Sequence, residues 1–199
     1  MNDDSTRFEH LFREANKFCS FIGLSDKLII GIYKAPSDWE FILKVDALLE
    51  AAAKQAVKAS MGIKIGPEFI SVDEFVDALP INGRTSLVSL LRVSRMGDEF
   101  CDAIQSVRML RNAFAHDIRQ IDEPLISVLL KRNDAVSLLR KLMPIEKYEH
   151  DEVIDHIKKD GSYFRFCILD FVLRILMLVY HVTLKPKQPE TGEPNMEMG

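Results

Sequence analysis

Apolar residues recur at steps of three and four along almost the whole chain, whereas alternating runs bounded by turn residues are scarce. A helix turns by about 100° per residue, so such spacing gathers apolar side chains on one face, and the pattern predicts an all-α helical bundle. A first helix is expected over residues 6–22, ending near Gly23, and a short apolar piece over 28–33 leads to Pro36. The strongest helix then runs to Met61. Ser37 and Glu40 open it at the spacing of a capping box, in which each side chain satisfies a free backbone N–H of the first turn. Gly62, Gly66 and Pro67 break this helix, and Ser71 and Glu74 repeat the capping spacing ahead of a short helix ending at Pro80. Asn82-Gly83 marks a turn, residues 84–95 and 98–115 make a helical pair joined at Gly97, and 124–143 supply one or two more helices. Beyond Pro144 the chain is acidic through Asp160 and then enters a long apolar helix over 163–184. The tail from Lys185 holds three of the eight prolines and no apolar cluster, and is expected to be disordered. The organisation predicted is a helical extension over 1–35, a bundle over 36–184 and a tail over 185–199.

Composition narrows this picture. With 199 residues, 47% of them hydrophobic and 28% charged, the chain can bury a full core and reads as a soluble globular protein. Residues 163–184 are long enough to cross a bilayer, but Arg165, Asp170, Arg174 and His181 interrupt them. Each charge in the middle of a span costs about 3 kcal/mol, so a buried helix is expected and no membrane partner. Twenty-six basic against thirty acidic residues give a net charge of −4, so any contact with RNA or DNA has to come from a local site. Cys19, Cys101 and Cys167 are far apart with no C-x-x-C pair, which encodes neither a disulfide framework nor a zinc knuckle and fits a reducing cytoplasm. The first residues are acidic and polar where a signal peptide needs positive charge followed by an apolar run.

The chemistry concentrates in residues 107–117, VRMLRNAFAHD. Phe100, Ala103, Ile104, Val107, Leu110 and Phe114 form one apolar stripe of the predicted helix, and Arg111 lies only about 40° from Val107 around the axis. An arginine at the edge of a core keeps its charge and needs a carboxylate, an anion or a partner subunit. Asp46 and Glu50, one turn apart on the alanine-rich helix, are candidates for that acid, as is Asp170 on the long apolar helix. Asn112 and His116 are one turn apart on the adjoining face, at a helix end whose free carbonyls favour positive charge. The same three polar residues also fit a purely structural role, with Arg111 closing an internal salt bridge and His116 capping carbonyls.

The run Arg111-Asn112-Ala113-Phe114-Ala115-His116 resembles the R-N-x-x-x-H signature of HEPN domains. Within that superfamily the longer match, from an alanine- and leucine-rich helix containing Leu48-Leu49-Glu50 to the basic helix closing on R-N-x-F-A-H, is similar to the mannitol-operon repressor (MltR-like) group. The resemblance covers residues 37–117, under half of the chain. It implies an α-helical bundle that dimerises, with the arginine and histidine of two subunits meeting at the interface, and needs no metal or other cofactor. Carried over, His116 moves protons while a ribose 2′-hydroxyl attacks the neighbouring phosphate, Arg111 stabilises the charge growing on that phosphate, and Asn112 orients groups or holds the helix end. Two functions follow from the resemblance: a metal-independent endoribonuclease, toxin-like or defence-related, acting on RNA, or a non-catalytic MltR-like transcriptional regulator or protein-interaction module that acts through a dimer surface or on a protein partner.

Other motifs carry less. Residues 84–107 have the outline of a DNA-binding helix-turn-helix, but Asp98, Glu99 and Asp102 would face the phosphates. His150 and His156 are six apart in an acidic run, whereas two metal ligands on one helical face are three or four apart, so a solvated charged face is expected. The chain has no G-x-G-x-x-G, phosphate-loop G-K-[ST] or G-x-S-x-G segment. Trp39, with Phe41 and Ile42, is expected to anchor its helix to the core; Asp170, Arg174 and His181 align as a polar seam that could meet another helix, and are expected by default to be satisfied internally.

Overall fold

The computed structural model describes residues 2–61, 72–93, 97–143 and 150–184. Among these the chain forms α1 (Asn2–Phe21), α2 (Leu28–Tyr33), α3 (Asp38–Met61), α4 (Val72–Ala78), α5 (Leu87–Val93), α6 (Asp98–His116), α7 (Leu125–Leu130), α8 (Ala135–Leu142), α9 (His150–Lys159) and α10 (Gly161–Leu184), with a 3-10 turn at Ile118–Gln120 and no strand. The all-α architecture expected from the sequence is what the chain adopts. The expected break at Gly62, Gly66 and Pro67, the Ser71 cap and the tail over 185–199 lie outside the described residues.

Local chemistry sets the helix boundaries. Ser37 Oγ accepts the Glu40 N–H at 3.1 Å, which caps α3 as expected. The reciprocal half of the box is replaced, because the Glu40 carboxylate pairs with Lys44 one turn on, at 2.6 Å. Helix α5 begins at Leu87, three residues later than its expected start, since Ser86 Oγ accepts the Ser89 N–H at 3.2 Å and donates to the Gly83 carbonyl at 2.9 Å, closing a capped turn. Gly97, at φ +88°, joins α5 to α6 through a backbone conformation that a side chain would strain. The segment over 124–143 divides into two helices at a turn where the Arg132 guanidinium grips Asp134 at 2.8 and 2.9 Å. Helix α9 was not marked by periodicity: Ile157 is buried and Ile154 packs on the core, but charged residues fill the other described positions, and His156 faces solvent with its ring edge-on to Tyr163 at 4.7 Å.

Helices α3 and α10 form the middle of the bundle. Helix α10 packs against both α1 and α3, and α3 packs in turn against α5 and α6. On α3 the buried positions Phe41, Ile42, Val45, Leu48, Leu49, Ala52, Ala53, Ala56 and Val57 occupy about half of the circumference, and the three alanines let neighbouring helices approach closely. All six residues of the expected α6 stripe, from Phe100 to Phe114, are at most 1% exposed. The first 35 residues share this core through Leu11, Ala15, Phe18 and Cys19 of α1 and Ile29 and Ile32 of α2. All three cysteines are free, and burial pushes the Cys19 and Cys167 thiols up to about 11. No helix among the described residues is long and apolar enough to cross a membrane.

One polar knot crosses the bundle. Asp38, at the start of α3, accepts the Leu125 N–H at the start of α7 at 2.5 Å and pairs with Arg165 of α10. The same guanidinium donates to the Ala35 carbonyl at 2.7 Å and lies 5.5 Å from the centre of the Phe41 ring. This arginine interrupts an apolar helix and ties α10 to the start of α3 and the turn before it, with α7 joined through Asp38. Trp39, the next residue, is half-buried and meets Phe114 near the end of α6 with ring centroids 5.8 Å apart, so the expected anchor joins the start of α3 to the end of α6.

Candidate functional site

The packing of α3 on α6 brings two acids against two arginines. Asp46 and Glu50 stand one turn apart on the flank of the buried α3 stripe, and Arg108 and Arg111 stand three residues apart on the flank of the α6 stripe. Arg108 Nη1 lies 3.6 Å from Asp46 Oδ1 and 3.5 Å from Glu50 Oε2. Arg111 Nε lies 3.8 Å from the other Asp46 oxygen, and Lys54 is 3.4 Å from Glu50. The order of charges is Lys54, Glu50, Arg108, Asp46, Arg111, alternating in sign and cationic at both ends.

Asp46 is the buried member, with its side chain 10% exposed. Burial raises its carboxyl pKa, because water is withdrawn from the charged form; Arg108 and Arg111 oppose the rise and Glu50 adds to it. Of the three acids the sequence offers Arg111, Asp46 is the one that approaches it. Glu50 serves Arg108 and Lys54 instead. Asp170 belongs to neither arginine: its carboxylate takes two hydrogen bonds from Arg174, four residues along α10, at 2.8 and 2.6 Å. A partner one turn away on the same helix is in reach before any tertiary contact forms, and that local pair captures Asp170.

Arg111 is 36% exposed at its side chain and loosely held. Its Nη1 donates to Asn112 Oδ1 at 2.9 Å. Its Nε is buried without a hydrogen bond, since 3.8 Å to Asp46 is beyond hydrogen-bond range. The bond from Arg111 fixes the Asn112 amide with its oxygen turned to the guanidinium, which leaves the two Nδ2 hydrogens for another acceptor. The pair thus has N–H donors to spare for a visitor.

His116, the last residue of α6, is exposed, half a circumference away from Val107 at about 100° per residue. Around the helix it is about 40° from Asn112 and about 140° from Arg111, so within one chain the imidazole and the guanidinium share a helix end but face different directions. Gln105, Met109, Asn112 and His116 follow one another at steps of three and four as the outer stripe of α6. Met109 is 36% exposed on it, and Ile118, just past the helix end, is 79% exposed. Asp117 turns away from this stripe to grip Arg119 at 2.8 and 3.0 Å, a contact that holds its carboxyl below the usual range. A cavity of about 450 Å³ lined by Glu99, Phe100, Asp102, Arg140 and Arg174 lies at the opposite end of α6.

The residue of this charge cluster that sequence reasoning missed is Arg108. Two cations three apart on one helix and two acids four apart on another were the available signal, but pairing them requires the rotation of α3 against α6. No protein-family model, curated protein or solved structure matches the chain.

Proposed function

We propose that this protein is a HEPN-like, metal-independent endoribonuclease, toxin-like or defence-related, whose working unit is a homodimer. The observation that carries the reading is the unspent hydrogen-bonding capacity of Arg111: a guanidinium at the edge of the core, 36% exposed at its side chain, with a buried Nε that has no acceptor and a neighbouring amide oriented as a donor. A phosphodiester supplies the missing acceptors, and a guanidinium meets two of its oxygens at once. Charge that develops on the phosphate as the ribose 2′-hydroxyl attacks is stabilised there, while an imidazole takes the hydroxyl proton and returns one to the departing 5′-oxygen. The products are a 2′,3′-cyclic phosphate and a 5′-hydroxyl.

Arg111 and His116 diverge by about 140° on one helix, so an RNA strand engages both only where a second chain brings its own α6 alongside. The exposed Met109 and Ile118 beside His116 supply apolar area for that contact. Those same residues favour the second reading, a non-catalytic MltR-like regulator or interaction module that binds a protein partner through this face.

Incubation with single-stranded RNA in excess EDTA separates the two. The nuclease reading expects cleavage by the wild type and at least about a hundredfold loss in His116→Ala, with an unchanged melting temperature because His116 is exposed. RNA left intact by the wild type across sequences and salt concentrations refutes it. Loss of self-association on Met109→Glu would then support the second reading.

A further inference from the structure

We propose that Arg108 is a positioning residue that releases Arg111 to an incoming phosphate by taking over the buried Asp46 carboxylate. The inference rests on the reading of Arg111 as a phosphate-binding group, and it concerns how that group is made available. A carboxylate as buried as Asp46 cannot be left without a cation, because the interior does not replace the water it has lost. With Arg111 as its only counter-ion, every phosphate bound would strand Asp46, and the site would oppose its own ligand.

The geometry removes that conflict. The two arginines address different oxygens of the same carboxylate, Arg108 at Oδ1 and Arg111 at Oδ2, so one can leave without disturbing the other. Arg111 makes the longest contact of the cluster, 3.8 Å, and no hydrogen bond to the acid. Arg108 is more enclosed, 22% exposed at its side chain against 36%, and is braced on its far side by Glu50, which Lys54 pairs in turn. Along the order Lys54, Glu50, Arg108, Asp46, Arg111, an anion arriving at Arg111 continues the alternation of sign.

The test is a titration of the full chain with inorganic phosphate, read at the Arg111 Nε–Hε resonance in a ¹H–¹⁵N correlation spectrum. The wild type is expected to show a saturable shift. In Arg108→Gln, Asp46 is left to Arg111 alone and phosphate binding weakens about tenfold, the equivalent of one modest charge contact. Arg108→Lys, which keeps the charge, retains most of the affinity. Arg108→Gln combined with Asp46→Asn recovers binding, since no carboxylate then holds Arg111; a residue that merely supports the fold gives no such recovery. Where Arg108→Gln fails to fold, Asp46→Asn alone carries the test, with phosphate affinity expected within about threefold of the wild type, since Arg108 already satisfies the acid there.

An Arg111 signal indifferent to phosphate, an Arg108→Gln protein that binds as tightly as the wild type, or binding tightened about tenfold in Asp46→Asn overturns the inference. The titration needs no turnover. If phosphate binding follows the expected series and RNA stays uncut, the nuclease reading fails and the role of Arg108 stands; if RNA is cut and the series is flat, only the role of Arg108 fails.

Discussion

Asp46 lies between two guanidinium groups, at 3.6 and 3.8 Å, and yet its pKa is raised, so burial outweighs both contacts. Folding therefore tightens its hold on a proton. From the ordinary aspartate value of 3.8 up to the raised folded value, the folded chain binds more protons at this residue than the unfolded chain, and stability falls as pH rises through that window. Glu14, Asp117, Asp134 and Asp160, whose pKa values are lowered, have the opposite slope, but they are common to the wild type and Asp46→Asn and cancel in the difference. Urea unfolding of the two proteins from about pH 3 to 6, spanning the ordinary carboxylate range, is expected to show the wild type's relative stability falling with pH and then levelling. A difference that is flat, or that grows with pH, contradicts the burial argument. At this scale the sequence located Arg111 correctly at the edge of the stripe, since helical periodicity alone sets that angle. The choice among Asp46, Glu50 and Asp170 depended on how two helices dock, and Arg108 went unnoticed for the same reason.

Elements are tied together near the site by side chains at their ends. Trp39 in the first turn of α3 meets Phe114 in the last turn of α6, and beside it Asp38 holds the start of α7 and Arg165 of α10. Phe114 is 1% exposed, and removing its ring leaves a cavity under Trp39. Phe114→Ala is expected to cost about 3–5 kcal/mol in chemical denaturation, and in a double-mutant cycle Trp39 and Phe114 should couple by about 0.5–1.5 kcal/mol. A loss under about 1 kcal/mol would mean that the end of α6 is held by other contacts. The helix pattern itself was legible in the chain, because the α6 stripe and the α3 cap are written in local spacing. The late start of α5 was less so: Ser86 competes with Arg84 for the first turn, and the closing hydrogen bond to Gly83 decides it. Helix α9 escaped periodicity because two inward isoleucines, Ile154 and Ile157, are too few to set a period among charges.

Among the described residues one continuous core runs from α1 to α10, and Met109 and His116 of the outer stripe of α6 are exposed. All-α architecture followed directly from apolar spacing; a site shared between two chains came only as what the resemblance implies, since no pattern of spacing within one chain states what a second copy contributes. Here Arg111 and His116 point apart within one chain, and the proposed cleavage pairs the arginine of one chain with the histidine of another. The most direct measurement mixes purified Arg111→Ala and His116→Ala proteins, each inactive alone, under conditions that exchange subunits, and follows cleavage of single-stranded RNA in EDTA. A mixed dimer rebuilds one complete site from the intact arginine of one chain and the intact histidine of the other, so cleavage is predicted to return on mixing. A mixture as inactive as its components, although mixed dimers have formed, would contradict it.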